Sequence, residues 1–407
     1  MSDCMTKIKI PEYAAEVMSV LEAAGFEAFA VGGCVRDCIL GRTPNDWDVT
    51  TSARPDEVIA LFEGREGYFA VPTGIVHGTV TVMSAGMPVE VTTYRIDGEY
   101  SDSRRPDRVE FCSDISADLA RRDFTVNAMA YSPVRGLIDP FGGRADLRER
   151  VIRCVGEPKK RFSEDALRIL RAVRFAAVLD FSVDPGTAAC MHALKDTLSL
   201  VSGERIGSEL GKLVTAVGAA RVMREFPDIV CKVLPGAVLN ETVINAVYRL
   251  CGSETSLMLA AVLSDTPAEC VRPALRGCRF DNKTTHMTVN ILAGLGTGLA
   301  EKSDVKRLCR DFGRDTAYSI VSLRDARGDT DSERMRWLNE IVTNGECVSL
   351  ADLALNGGDL LGLGAEPKSI GRVLGYLLDR VMDGNLENSR DSLLEAAKQK
   401  INNCMEK

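Results

Sequence analysis

Asp46 and Asp48 stand one residue apart in "DWDVTT", downstream of the adjacent glycines Gly32 and Gly33. On an extended strand, residues two apart leave the same face, so these carboxylates would lie side by side. Like charges held that close call for a cation between them, and magnesium is the hard divalent ion that pairs carboxylates with phosphates. A DxD pair alone is equally read as solvated aspartates at a strand edge, and an isolated GG as a tight turn. The order strand, GG, helix, strand with DxD is narrower. Glycines at a strand end let backbone N–H groups close on phosphate oxygens, helped by the start of the following helix. Arg36, about a turn into that helix, reaches toward the same phosphates.

Metals that bridge substrate phosphates often use a third carboxylate. Glu90, opening "EVTTYR" on a later strand, is the candidate, with a salt bridge to a nearby arginine as the competing reading. "RRDFTVNAMA", residues 121–130, is expected to start a helix with Asp123 as N-cap, which makes Arg122 a sugar or phosphate contact. In "EDALRILRAVRF", residues 164–175, Asp165, Arg168, Arg171 and Arg174 recur every three residues and on a helix would line one drifting face. An internal Asp–Arg pair explains the first two. Three arginines in register cost stability without a partner, and a nucleotide would supply one. A carboxylate accepts from an exocyclic amino group and a guanidinium donates to ring acceptors. Cytosine and adenine offer that combination; guanine and uracil put a carbonyl oxygen against the carboxylate. Such a face admits CTP and ATP and rejects GTP and UTP.

The elements that must position these groups alternate up to about residue 155. "PEYAAEVMSVLEAAG" reads as an amphipathic helix closed by Gly25, and "FEAFAVGG" as a strand. A short helix "CVRDCILG", the strand "DWDVTTSA" and the helix "RPDEVIALFE" follow. "HGTVTVMSAGMPVEVTTYR" reads as a hairpin around Ala85 and Gly86. From about Glu164 onward strand signals nearly vanish, so an α/β part followed by an all-helical array is expected. "IDPFGGRADL", residues 138–147, reads as a hinge or orienting link.

With 407 residues the chain exceeds one compact core. Thirteen scattered cysteines without a CxxC pair, and three histidines far apart, argue against a zinc site or a disulfide framework. There is no apolar run of membrane-spanning length and no signal-like N-terminus, so the cytoplasm is expected. The net charge of −8 argues against a nucleic-acid partner, yet residues 101–175 carry sixteen basic against twelve acidic side chains. Fourteen of the sixteen are arginine, the side chain whose planar fork suits phosphate and base edges.

The strand–GG–helix–DxD order resembles the active-site signature of the DNA polymerase beta-like nucleotidyltransferases. With "EVTTYR", "RRDFTVNAMA", "DPFGGRADL", "EDALRILRAVRF" and "ERIGSELGKL" it closely resembles the bacterial tRNA nucleotidyltransferases of the second class, the CCA-adding enzymes. The resemblance runs almost unbroken over residues 28–215 and is weaker in the C-terminal "LNGGDLLGLG" and "SIGRVLGYLLDRVMDGNLEN". It implies an α+β fold with a nucleotidyltransferase head (1–155), then an all-helical neck that selects the base (156–220), a body (221–345) and a tRNA-binding tail (346–407). It also implies Mg²⁺ on Asp46 and Asp48, nucleotide contacts from Gly33, Arg36 and Arg122, and base selection by Asp165 and Arg168 with Arg171 and Arg174 nearby. The partners implied are ATP, CTP and the acceptor arm and 3′ end of tRNA, with no membrane; the oligomeric state stays open.

Relatives leave alternatives. Bacterial poly(A) polymerases share this head but carry an arginine-rich strand where this chain has "VHGTVTV". CC-adding members are shortened where "YRIDGEYSDSRRPDRVEF" here is full length, so a loop that helps switch from C to A is expected. No adjacent His-Asp pair occurs, so the phosphohydrolase domain of some relatives is not expected. An enzyme adding only the final A, and a non-catalytic RNA-binding protein, remain as readings.

Overall fold

Apolar residues at i, i+3, i+4 and i+7 make α1 (Glu12–Ala23) amphipathic, with Ala14, Val17, Met18 and Leu21 buried. The computed structural model describes residues 7–98, 109–329 and 332–405. After Gly25, which turns the chain at φ +87°, β1 (Ala28–Val31) runs with all four residues buried. Next come α2 (Gly33–Ile39), β2 (Asp48–Thr51) and α3 (Pro55–Phe62), the last opened by a proline whose missing N–H costs nothing at that position. β3 (Tyr68–Gly74), β4 (Thr79–Ser84) and β5 (Met87–Thr93) follow. The β4–β5 turn is the expected one: Ala85 and Gly86 both take positive φ, 50° and 77°, as a two-residue hairpin loop requires.

β6 (Arg95–Asp97) and β7 (Val109–Phe111) form a separate ribbon, then α4 (Ile115–Ala120) leads to the hairpin β8 (Ala130–Ser132) and β9 (Gly136–Ile138). The seven-stranded sheet has the order β3-β4-β5-β2-β1-β8-β9. Every pairing is antiparallel except β2 with β5. Of the segment "YRIDGEYSDSRRPDRVEF", expected to hold a loop that helps switch from C to A, β6 and β7 are the described ends and residues 99–108 lie outside the described residues.

The sheet departs from the sequence reading in three places. β3 carried no alternation and contains Pro72; it is tolerated because it lies at the sheet edge, with its pairing shifted between Val71 and Gly74. The hairpin β8–β9 was also unread. "RRDFTVNAMA" does not begin a helix: it follows the end of α4, makes one 3₁₀ turn at Thr125–Asn127 and enters β8.

After α5 (Gly143–Glu149) come β10 (Val151–Ile152), α6 (Pro158–Glu164), α7 (Leu167–Leu179), β11 (Ser182–Val183), α8 (Pro185–Leu194), α9 (Gly203–Val214), α10 (Ala219–Glu225) and α11 (Pro227–Val233). β11 pairs parallel with β10, a two-residue exception to the helical array. α7 buries Ile169, Leu170, Ala172, Val173 and Ala176 and packs on α9. These elements belong to one compact unit, Met1–Pro235; a second, Gly236–Lys407, is helical throughout its described residues. Part of the second unit's core is formed by Leu360, Val373, Leu377, Leu378, Leu393 and Ala397. No helix among the described residues is long and apolar enough to cross a membrane.

The "DPFGGRADL" link is packed against the 3₁₀ turn at Thr125–Asn127. Asp139 accepts from the N–H groups of Gly143 and Arg144 at 2.7 and 2.9 Å, and Thr125 donates to Asp146 at 2.6 Å. A Cβ at Gly143 would lie 2.2 Å from the Thr125 carbonyl oxygen. Gly143→Ala must therefore push α5 off the 3₁₀ turn and is expected to cost about 1–3 kcal/mol, as overpacking does. Urea denaturation of the full chain measures it; unchanged stability would contradict the close approach.

Candidate functional site

The acidic end is set by strand register. Asp48 opens β2 and pairs in parallel register with Glu90 of β5. Asp46 precedes the strand rather than lying in it, but buried Trp47 between the two turns both aspartates to the opposite face. Asp46 and Glu90 are exposed, while Asp48 is half-buried. Asp48 is pushed up to about 6, first by burial, then by Glu90, with Arg122 opposing and Asp46 adding to the rise. Burial and the neighbouring carboxylates thus make its charged form costly, and a cation beside it would relieve that cost. Among the described residues no three acidic, histidine or cysteine side chains are arranged to hold a metal. The donor set still fits magnesium, which takes one or two carboxylates and fills its remaining positions with water and substrate phosphate.

Beside the carboxylates lies the glycine turn. Gly32 takes φ +79°, and a Cβ there would lie 3.0 Å from Arg122 Nη1. The positive φ favours glycine there, and the guanidinium lies against the backbone where Gly33 opens α2. Arg122 donates to Asp118 at 3.4 Å, and its buried Nε has no acceptor among the described residues. Arg36 arrives already engaged: Nε and Nη2 donate to Asp37 at 2.8 and 3.0 Å, and Nη1 to Asn127 at 2.6 Å.

The arginine face differs from its sequence reading. Asp165 is not on the helix with the arginines; it sits at φ −145° in the break between α6 and α7. Its carboxylate takes two hydrogen bonds from Arg205 of α9, at 2.7 and 3.1 Å, rather than pairing with Arg168. Arg168 donates to Glu164 at 2.7 Å and to the Arg121 carbonyl at 3.1 Å. Arg171 donates to Asp123 at 2.7 and 2.9 Å and reaches Glu209 at 3.4 Å, and Arg174 is ion-paired with Glu209. The three arginines in register therefore have protein carboxylates as partners, so their spacing does not by itself demand a nucleotide. Phe175 binds this cluster to the glycine-turn side, with the guanidinium carbons of Arg36, Arg171 and Arg174 at 5.3, 5.3 and 3.8 Å from its ring centroid.

The fold thus gathers all the sequence-marked residues within the first unit. Arg122 links the glycine turn to Asp48, and Arg36, Asn127, Asp123 and Arg171 form an unbroken chain of hydrogen bonds. Sequence reasoning passed over Asp118, Glu164, Arg205 and Glu209. Two signals were available: Asp118 lies three and four residues before the arginine pair, and Arg205 and Glu209 are one helical turn apart in "ERIGSELGKL".

A family model described as the poly A polymerase head domain matches residues 28–153, and one for tRNA nucleotidyltransferase domain 2 matches residues 252–397. The CCA-adding enzyme of Lactobacillus delbrueckii subsp. bulgaricus is 35% identical over 401 residues, covering 96% of this chain and 99% of the relative. That of Geobacillus stearothermophilus is 33% identical over 418 residues, covering 95% and 98%. Among solved structures, the Bacillus stearothermophilus CCA-adding enzyme in complex with CTP superposes with a TM-score of 0.80 at 30% identity, over 97% and 98% of the two chains. The Thermotoga maritima CCA-adding enzyme complexed with tRNA shares the fold, with a TM-score of 0.71 at 20% identity over 97% of each chain.

Asp123 supplies a pH test of the ion-pair chain. Burial alone would raise its pKa, but Arg171 and the Asn127 amide outweigh that and hold it down at about 2. The folded value lies below the ordinary aspartate value of about 3.9, so its stabilisation is complete above that value and is lost as pH falls toward 2. Wild-type protein is expected to lose about 2 kcal/mol more than Asp123→Asn between pH 5 and pH 2. Denaturant titrations at several pH values measure the difference, and parallel pH profiles would contradict the pairing.

Proposed function

This chain belongs to the CCA-adding enzyme family, and from that membership and the site geometry we propose that it adds C, C and A to the 3′ end of tRNA from CTP and ATP without a template. The observation that carries this reading is the position of Arg122. It lies on the glycine turn, acts on Asp48, and follows Arg121, whose carbonyl holds Arg168 of the reading face.

In this reading the terminal ribose 3′-hydroxyl attacks the α-phosphate of the bound triphosphate. A new P–O bond forms, the bond to the β-phosphate oxygen breaks, and pyrophosphate leaves. Asp46 and Asp48 would hold Mg²⁺, which when bound supplies charge neutralisation on the triphosphate and activates the hydroxyl. The backbone around Gly33, with Arg36 and Arg122, orients phosphates and sugar. Asp165 accepts from the exocyclic amino group of cytosine or adenine while Arg168 donates to the ring acceptor. Arg171 and Arg174 stand behind them as the charged support of that face. Arg205 fixes the plane of the Asp165 carboxylate yet leaves lone pairs for the base, since each carboxylate oxygen accepts more than one hydrogen bond.

The head, neck, body and tail boundaries implied by the resemblance belong to the same proposal, with the acceptor arm along the helical part. So does a cytoplasmic site of action. The head match is to a poly A polymerase domain, which keeps poly(A) synthesis as the second reading; a long A ladder on RNA without a tRNA fold would distinguish it.

Asp46→Ala and Asp48→Ala are each expected to lower nucleotide incorporation at least about a thousandfold while tRNA affinity stays within about twofold, because metal-bound carboxylates act in the transition state. Single-turnover extension and filter binding read the two quantities, and normal turnover would contradict the metal assignment. Arg168→Ala is expected to relax discrimination against UTP and GTP by about 10- to 100-fold, the usual worth of a base-edge contact. Unchanged discrimination in competition assays would contradict the reading face.

A further inference from the structure

Asp118 is a carboxylate with no solvent exposure, in the short helix α4, and it has no role in the chemistry described above. A buried charge is costly unless it is paired and hydrogen-bonded, and Asp118 is both. Arg121 reaches its Oδ1 through Nη2 at 2.8 Å and Nε at 2.9 Å, and Arg122 reaches Oδ2 through Nη2 at 3.4 Å. The Thr50 hydroxyl donates to Oδ2 and the Arg95 N–H to Oδ1, each at 3.4 Å. Thr50 lies two residues beyond Asp48 on β2, so the same carboxylate touches the catalytic strand and the arginine pair.

The two arginines are treated differently. Arg121 is spent on Asp118, and its carbonyl accepts from Arg168. Among the described residues Arg122 is held through one nitrogen; Nη1 faces the glycine turn and Nε is buried without an acceptor. An unsatisfied buried donor is expensive, and an acceptor brought in by a ligand would remove that cost. Burial alone would raise the pKa of Asp118, but Arg121 and then Arg122 outweigh it and hold the carboxyl below its ordinary range, so it stays an anion.

We propose that Asp118 is the positioning residue for Arg122: it anchors the far nitrogen of the guanidinium so that Nε and Nη1 face the triphosphate and sugar of the bound nucleotide. The role rests on the nucleotide-site reading above. Through Thr50 and Arg121 it also ties that guanidinium to the strand of Asp48 and to Arg168, so the phosphate end and the base-reading end keep one register.

The test is equilibrium binding of CTP with Mg²⁺ to the full chain, without tRNA, for wild type, Asp118→Asn, Arg122→Gln and the double variant. Each single variant should bind CTP about tenfold more weakly or worse, and the double variant within about twofold of the weaker single, because both act through one guanidinium. Losses that multiply, or Asp118→Asn binding CTP as wild type does with only a lowered Tm, would overturn the role. Wild-type protein that binds no CTP would overturn the nucleotide-site reading and this role together. Should Asp118→Asn not fold, ¹⁵N-arginine spectra of the wild type decide. The Arg122 Nε–H resonance, assigned by its absence from Arg122→Gln, should move on adding CTP while that of Arg121 stays. A stationary Arg122 signal would overturn the proposal.

Discussion

One parallel pairing in an otherwise antiparallel sheet governs this site. Because β2 and β5 run side by side in the same direction, Asp48 stands in register with Glu90, and Asp46 lies just upstream. Parallel neighbours cannot be joined by a tight turn, so the chain must travel through α3, β3 and β4 between them. That excursion adds two of the sheet's seven strands, β3 and β4. Its product is a crowded patch of carboxylates in which burial and the neighbouring acids push Asp48 up to about 6. Arg122, lying on the glycine turn, is the cation placed to oppose that patch.

The remainder of the site is stabilised by exchangeable ion pairs rather than by empty sockets. Arg168 rests on Glu164, Asp165 on Arg205, and Arg171 on Asp123 and Glu209. Such pairing removes the cost of several half-buried guanidinium groups beside one another while no ligand is present. It also means that a base must compete with, or share, contacts that already exist. A guanidinium fork and a carboxylate with spare lone pairs permit sharing, which keeps the exchange small.

How much of this could be read in advance depended on the range of each interaction. The Ala85–Gly86 hairpin, the strand carrying Glu90 and the helix after Gly32–Gly33 follow from local patterns, and the structure has them. The edge strand β3 escaped because Pro72 and Gly74 break its alternation, and an edge can tolerate both. The arginine triplet was legible as a cluster but not as an ion-paired one, since Asp123 lies 48 residues before Arg171 and Glu209 lies 38 after it. Asp165 was misplaced onto the helix because its spacing fits one. The Arg205 contact 40 residues away holds it in a break that no local pattern marks. Asp118 shows in sequence only its spacing to Arg121 and Arg122, which an ordinary surface acid shares; its burial comes from the strand that brings Thr50 against it.

What the protein does to a tRNA end decides the assignment most directly. The measurement is single-turnover extension of three transcripts of one tRNA, ending in the discriminator base, in C, or in CC, each with CTP, ATP or both in the presence of Mg²⁺. The account predicts growth by C, C and A on the first transcript, completion of the other two, and a stop at the final A. Extension confined to the CC-ended transcript, a long ladder of A, or no magnesium-dependent incorporation would contradict it.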